Sequence, residues 1–578
     1  MTDIGSDEGH TRPQGLPYFE PAPASFFGPP PVVFGPVLLF QSRDKDNWTV
    51  RFLVLTKYIE GCCASLRVEW PKGSPTTTNA TATSGVPFLT HFDVPAGELG
   101  LYHGHTQDVT FVLQQDASAI HYSVSVSGLE DADTELGPFT FFVPAAGVDA
   151  KACYMTCNDG WTWKKKEDAS RYKGYEAVDR LFISGAATPA DACHVMLCGG
   201  DQIYGDDAVF THHDLWNREI MRTYYFREYF RRFGEKYMSK ALATLPHNMQ
   251  VDDHDYFEGY GSWTGKQKPP VQIGMEAQRA RFVFQLGRDP AEALTFGPGD
   301  EVVFTNTSAV FRTGPTAVTV RLDLRSDRDI SKGREIFASV LKTVEGATRA
   351  EIARSPDTTK HLVMLFAQPV VFSDYAFLDF AAKRINFIKT DIYEDAGNKF
   401  YADAIAQLVS AFQSIASAAK LRITYISGDV HVGGWGETRP PAGEKADSAH
   451  DVRFAQQWIS SPFCNDVEEM YASTEKWVDI AGEGHFTMKT TDAKGTDLPT
   501  ECVCRHLEAK RNFLVYDVLE DSTKAGSPKK LRGMLYFEQT KGHGDFAASE
   551  KDNPLLVSPM GYPLGLPPKE DGCCCTVS

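Results

Sequence analysis

The sequence predicts an α/β layer fold preceded by a β-sandwich-like domain, and three observations carry that prediction. From Val32 to about Pro144 the chain runs as short β-type segments, such as Trp48 to Leu55 and Val109 to Leu113, separated by turn-rich stretches. After Lys151 apolar strands alternate with long helical stretches. The strands Cys153 to Thr156, Val195 to Cys198 and Ile423 to Ser427 each run straight into a polar loop bearing Gly or Asp. In an α/β fold that is where reactive groups gather, at the carboxyl ends of strands.

Taken in order, residues 1–35 are rich in Pro, Gly and acidic groups and end near Gly28-Pro29-Pro30-Pro31, a composition that cannot support a packed core. They are expected to be a disordered tail. Residues 36–146 form the expected N-terminal β domain and 147–542 the α/β core. Within the core, Leu215, Ile220, Tyr224, Phe230, Phe233, Tyr237 and Leu242 recur near helical spacing between 215 and 244, and Tyr401 to Lys420 repeats Ala, Ile, Leu and Phe in the same way. The stretch from about 265 to 315 has mixed composition and reads as an insertion or elaborated loop. Asn512 to Asp517 and Arg532 to Phe537 read as paired strands, as at the end of a four-layer α/β/β/α core. Residues 543–578 read as a flexible tail.

Composition narrows the function. Of 578 residues, 42% are hydrophobic and 23% charged, as in ordinary globular proteins, and no apolar run is long enough to cross a bilayer as a helix. A formal net charge of −18 would repel a phosphate backbone, so nucleic acid is not expected as a partner. The acidic start Met1 to Glu8 lacks the basic-then-apolar order of a secretion signal, so cytoplasmic residence and reduced thiols are expected for the twelve cysteines.

Three loops carry the chemistry. Gly200-Asp201-Gln202-Ile203-Tyr204 follows an apolar strand, and its glycines permit close approach of backbone and ion, which makes Asp201 the best bridging carboxylate. Asp252-Asp253-His254-Asp255 crowds three carboxylates around one imidazole, and such neighbours repel unless a cation or a network compensates them. In Ser427-Gly428-Asp429-Val430-His431 the residues Asp429 and His431 stand two apart and project to one side of an extended segment. Two metals about 4 Å apart, held by such a mixed O/N set, supply the nucleophile and the charge neutralisation that phosphate ester hydrolysis requires.

In that order the three loops resemble the PhoD-like phosphatases, a branch of the calcineurin-like metallophosphoesterases, whose segments read GDxxY, DDH(D/E) and SGDVH. Thr156-Cys157-Asn158, the stretch Arg321 to Arg328, Gln457 to Pro462 and Arg511 to Val515 are similar to further segments of that branch. The resemblance implies a four-layer metallophosphoesterase core and hydrolysis of phosphomonoesters or phosphodiesters by a binuclear centre and a metal-bound hydroxide. It implies that Cys157, Asp201 and Tyr204 hold an Fe(III)-type ion, and that Asp253, Asp429 and His431 complete a second site for Ca, Zn, Mn or Mg. It further implies His254 as the proton donor to the leaving oxygen, with Arg325 and Arg328 clamping the phosphate. The substrate would be a phosphate-ester small molecule or a phospholipid.

Each signal also has a plainer reading. A lone Gly-Asp after a strand is usually a turn, and Asp429-Val430-His431 alone is usually a hydrogen-bonded loop; three such loops in one order reverse that weighting. Cys153, Cys193 and Cys198 lie on apolar strands and read as core, whereas Cys157 sits at a loop mouth. Tyr224 to Phe230 reads as core rather than pocket, and Trp161, Trp163 and Trp263 flank the site loops. The end Cys573-Cys574-Cys575-Thr576-Val577-Ser578 fits a C-a-a-X pattern with Cys575 as prenyl carrier, and Cys573 and Cys574 would add the second, acyl signal that peripheral membrane attachment needs. The alternative to an enzyme is a non-catalytic, lipid-anchored protein that binds phosphorylated ligands.

Overall fold

The computed structural model describes residues 29–70, 83–88, 90–129, 133–158, 172–206, 217–262, 269–329, 334–371, 399–429, 431–444, 451–465, 484–492, 494–519, 530–541, 543–548 and 556–559. Residues 1–28, Trp161, Trp163, Trp263 and the lipidation candidates Cys573, Cys574 and Cys575 lie outside them.

Among the described residues, two large sheets form the body. The first has eleven strands, in which Ala152–Met155, Val195–Cys198 and His247–Met249 run parallel at the centre. The second has eight, with Ala317–Arg321, His361–Leu365, Arg422–Ser427 and Ala455–Ile459 parallel in succession. Parallel strands buried on both faces tend to read as apolar runs, which is why Ala152–Met155, Val195–Cys198 and Ile423 to Ser427 stand out in the sequence, whereas His247–Met249 and Ala455–Ile459, with their Asn and Gln, do not.

Alternation along each strand sets the layers, because successive side chains leave a strand on opposite faces. Tyr154, Val195 and Leu197 of the first sheet pack in one apolar cluster with Val363, Leu365, Ile426 and Trp458 of the second. Their neighbours Cys153, Met155, Met196 and Cys198 instead pack with Tyr225, Tyr229, Met238 and Phe282 from helices Arg218–Phe233, Lys236–Thr244 and Val271–Leu286. On the far side, Val318, Leu362, Met364 and Tyr425 meet Val344, Val409 and Phe412 from helices Ala338–Arg354 and Lys399–Ala419. The order is helix, sheet, sheet, helix: the four-layer α/β/β/α core. The aromatic run is core as expected, with Tyr225, Phe226, Tyr229 and Phe230 buried.

The N-terminal region is sandwich-like: a four-stranded sheet packs Leu66, Tyr122, Val124 and Phe141 onto Phe52 and Val54 of the strand Asn47–Lys57. That strand belongs to the eleven-stranded sheet, which the N-terminal segment enters through the parallel pairing of Leu39 with His247. The stretch 265–315, expected as an insertion, differs more. It contains helix Val271–Leu286, which buries Ile273, Ala277, Phe282 and Phe284 in the core and sends Gln278 and Gln285 toward the loops at the strand ends. Its polar residues are there because the buried loops behind it need hydrogen-bond partners.

Candidate metal centre

The loops that leave the carboxyl ends of both sheets' parallel strands meet at one point. Cys157 follows Ala152–Met155, Asp201 follows Val195–Cys198, Asp252 and Asp253 follow His247–Met249, and Asp429 follows Arg422–Ser427. Three overlapping sets result, each with ligand atoms within 4.8 Å of one another: Cys157, Asp201 and Asp429; Asp201, Asp253 and His254; Asp201, Asp252, Asp253 and Asp429. Asp201 is common to all three.

The backbone is bent to achieve this. Cys157, Asp201, Asp429 and His431 have φ of 55°, 56°, 70° and 50°, and they are four of the six non-glycine residues with positive φ among those described. Left-handed backbone costs an L-residue roughly 1–2 kcal/mol, so its concentration in these loops marks a site whose surroundings overrule local preference. Gly200 is needed for close approach, because a Cβ there would lie 2.4 Å from the Cβ of Asp252.

Asp255 holds the first two loops together. Its carboxylate accepts the backbone N–H groups of Asp201, Gln202 and Asp252, each at 3.0 Å, and Gln285 Nε2 at 2.8 Å. The Asn158 N–H donates to the Asp201 carbonyl at 2.9 Å, tying in the Cys157 loop. Ser461 Oγ lies 3.0 Å from Cys157 Sγ and accepts the His431 N–H at 3.2 Å, which brings the third loop to the same support.

Burial pushes the carboxyls of Asp201 and Asp252 well above the ordinary range, and the Asp255 carboxyl up to about 6. Burial likewise raises the Cys157 thiol, with Asp201 and Asp429 adding to the rise. Asp253 goes the other way: burial alone would raise it, but Arg325 and His254 hold it at about 2. Buried acids packed this closely favour a bound cation, and Asp201 Oδ1 is buried with no hydrogen-bond partner among the described residues. The donors suit transition ions with oxygen, nitrogen and thiolate preference, so the residues fit a resident metal.

His254 stands at the edge of this group. Burial opposes its charged form, but Asp206, Asp253 and Asp201 outweigh that and raise its pKa well above the usual histidine value. Its Nδ1 is held by both Asp206 oxygens, at 2.8 and 2.9 Å, and Asp206 is itself fixed by the Glu258 N–H at 2.7 Å. The Tyr204 ring stacks on the imidazole with centroids 4.1 Å apart. Tyr204 Oη lies 3.5 Å from His431 Nε2, and Asn465 Nδ2 donates to that hydroxyl at 3.0 Å.

Arg325 and Arg328, expected at the phosphate, lie against protein carboxylates. Arg325 is 1% exposed, its Nε pairs with Asp252 and an Nη with Asp253 at 3.2 Å. Arg328 Nε lies 3.2 Å from Glu335. The loops crowd more acid than the sequence reading allotted ligand roles to, and the nearest guanidinium compensates it. Three residues of the site went unassigned from sequence: Asp206, Asp252 and Asn465. Asp206 gave a signal, an acid two residues after Tyr204 in a glycine-bearing loop; Asn465 gave none.

The PhoD related phosphatase family model matches residues 207–395. The matched segment covers about a third of the chain. It contains Asp252 to Asp255, Arg325 and Arg328, and leaves the Cys157, Asp201 and Asp429 loops on either side. The uncharacterized protein YGR266W of Saccharomyces cerevisiae is 22% identical over 507 aligned residues, covering 74% of this chain and 69% of that protein. Among solved structures, the purple acid phosphatase PPD1 of yellow lupin (Lupinus luteus) aligns at 11% identity and a TM-score of 0.48, covering 87% of this chain and 72% of that one. PhoD aligns at 12% identity and a TM-score of 0.45, covering 90% and 91%.

Proposed function

We propose that the protein hydrolyses phosphate esters with a binuclear metal centre at Cys157, Asp201, Tyr204, Asp253, Asp429 and His431, to which Asp252 is added. The observation that carries this reading is the convergence of one thiol, three further carboxylates and His254 on Asp201, with the backbone of Cys157, Asp201 and Asp429 bent into the left-handed region. The match to PhoD related phosphatases supports the same chemistry. When bound, the ions neutralise the phosphoryl oxygens and lower the pKa of attacking water. Thiolate and phenolate from Cys157 and Tyr204 favour an Fe(III)-type ion on one side, and carboxylate and imidazole favour a divalent ion (Ca, Zn, Mn or Mg) on the other.

The chain's own residues then divide the work. Asp206 holds the Nδ1 of His254 and leaves Nε2 to give a proton to the departing oxygen, while the stacked Tyr204 ring fixes the imidazole plane. Arg325 balances Asp252 and Asp253, so that the site carries less net negative charge toward an anionic substrate. Hydrolysis of nitrophenyl phosphate and bis-nitrophenyl phosphate by the purified protein tests the reading: activity is expected to need a metal and to be lost in Asp201→Asn. We further propose that the terminal cysteines, Cys575 above all, carry lipid and hold the protein at a cytosolic membrane face. Among the described residues no helix is long and apolar enough to cross a membrane.

A further inference from the structure

Outside the metal centre, three guanidinium groups share one carboxylate. Glu276 lies on helix Val271–Leu286 with its side chain 0% exposed. Arg218 Nε reaches its Oε1 at 3.1 Å and Arg222 Nε its Oε2 at 2.7 Å, both from helix Arg218–Phe233, and Arg279 Nη1 joins at Oε1 from the same helix as Glu276. Among the described residues, three positive charges stand against one negative and leave a surplus of two, in a chain whose formal net charge is −18. Each arginine spends one nitrogen on Glu276 and remains part-exposed, at 50%, 22% and 20% for Arg218, Arg222 and Arg279. Burial lowers the Arg279 pKa against the rise that Glu276 produces, and Arg218 and Arg222 lower it further.

We infer that Arg218, Arg222 and Arg279 form a binding site for a phosphoryl anion, with Glu276 as the post that orients them. A guanidinium presents five donors in a planar fork, so fixing one edge on a buried carboxylate aims another at a ligand with little rotamer entropy left to lose. Two charges of surplus suit a phosphate dianion or the end of a polyphosphate better than a monoanionic carboxylate. The position is also informative. Arg222 stands one helical turn before Tyr225, whose hydroxyl donates to the Tyr256 carbonyl beside the Asp252–Asp255 loop. The site and the metal centre are therefore braced by the same helix, yet share no residue.

Pyrophosphate titrated into the full-length protein by calorimetry is the test, with His431→Ala as a variant that disables the metal centre alone. Pyrophosphate is expected to bind with strong salt dependence, to bind His431→Ala with an affinity from this site unchanged, and to bind Arg218→Ala/Arg222→Ala about 10–100-fold more weakly, since charge-assisted hydrogen bonds are lost. Glu276→Gln removes the charged post that aims the three guanidinium groups and is expected to weaken pyrophosphate binding although the net positive charge rises, which an unordered cluster of positive charge would not do. Sedimentation with phosphatidate-containing vesicles against phosphatidylcholine vesicles separates the sources: retention on phosphatidate, lost in the arginine variant, assigns the phosphate to a lipid headgroup, and no retention assigns it to a soluble ligand. Unchanged pyrophosphate affinity in the folded Arg218→Ala/Arg222→Ala protein overturns the inference, as does binding that disappears only in His431→Ala.

Discussion

Replacing Arg325 by Met removes a guanidinium that faces both Asp252 and Asp253 and leaves two buried carboxylates beside Asp201 and Asp429. Two routes give the size of the effect. Breaking a buried ion pair from one side costs about 3–5 kcal/mol. Asp253 is held at about 2 against an ordinary 3.8, and a shift of that size corresponds to about 2–3 kcal/mol. A loss of about 3 kcal/mol at pH 7 is therefore expected in the metal-free protein. Its pH dependence has a definite sign. A carboxyl with a depressed folded-state pKa contributes stability that is present above the unfolded value near 4 and is lost as pH falls through about 2. The gap between Arg325→Met and the parent should be full at neutral pH and close below about pH 4. Urea unfolding midpoints of both proteins, after chelation, between pH 3 and 8 measure it. Added Mn²⁺ should recover part of the loss, because an ion replaces the missing counter-charge. Equal midpoints at pH 7, or a gap that does not shrink in acid, would refute the assignment of Arg325 as the compensating charge.

Further outcomes follow from the same geometry. Asp206→Asn removes the largest influence raising the His254 pKa, so the alkaline limb of the kcat profile should move to lower pH, with kcat at pH 8 falling by about 10²-fold; an unmoved limb would detach His254 from proton donation. The Asp201 and Asp252 carboxyls are raised by burial, so without metal their contribution to stability is full below the ordinary carboxylate range and lost as pH rises through their raised values. Stabilisation by bound metal should accordingly grow with pH, reaching about 4 kcal/mol at a thousandfold excess over Kd, and a thermal shift independent of pH between 5 and 8 would contradict this. Cys575→Ser should move the protein from the membrane to the soluble fraction of lysed cells, and unchanged membrane association would remove the lipid anchor from the account.

Much of the fold and of the site is legible in the sequence. Two of the three loops could be found because the strands before them, Val195–Cys198 and Arg422–Ser427, leave largely apolar runs that stop at an Asp-bearing turn, and the third by its own crowding of Asp252, Asp253 and Asp255 around His254. The splitting of the helical stretch at 215–244 into two was harder to see, as it rests on two residues between Phe233 and Lys236, Gly234 at the end of one helix and Glu235 capping the next. The continuity of the N-terminal strands with the core sheet rests on Leu39 meeting His247, a pairing across 208 residues that leaves no local trace. A hint existed in Val37 to Phe40, which is buried on both faces where an outer sandwich strand would alternate. The fate of Arg325 was illegible for another reason: sequence shows that an arginine is near the site but not which anion it faces. Asn465 contributes a single side chain from a loop without a motif, and only the fold carries it to Tyr204.

The most direct test of the centre is metal content and hydrolysis measured together on the parent and on Asp201→Asn. Two ions per chain and metal-dependent cleavage of bis-nitrophenyl phosphate are expected for the parent. Asp201→Asn should stay folded by circular dichroism, lose at least one ion, and lose activity by about 10³-fold or more, as removal of the shared ligand disables both ions. An Asp201→Asn protein that keeps both ions and its turnover, or a parent that cleaves ester equally well after chelation, would contradict the account.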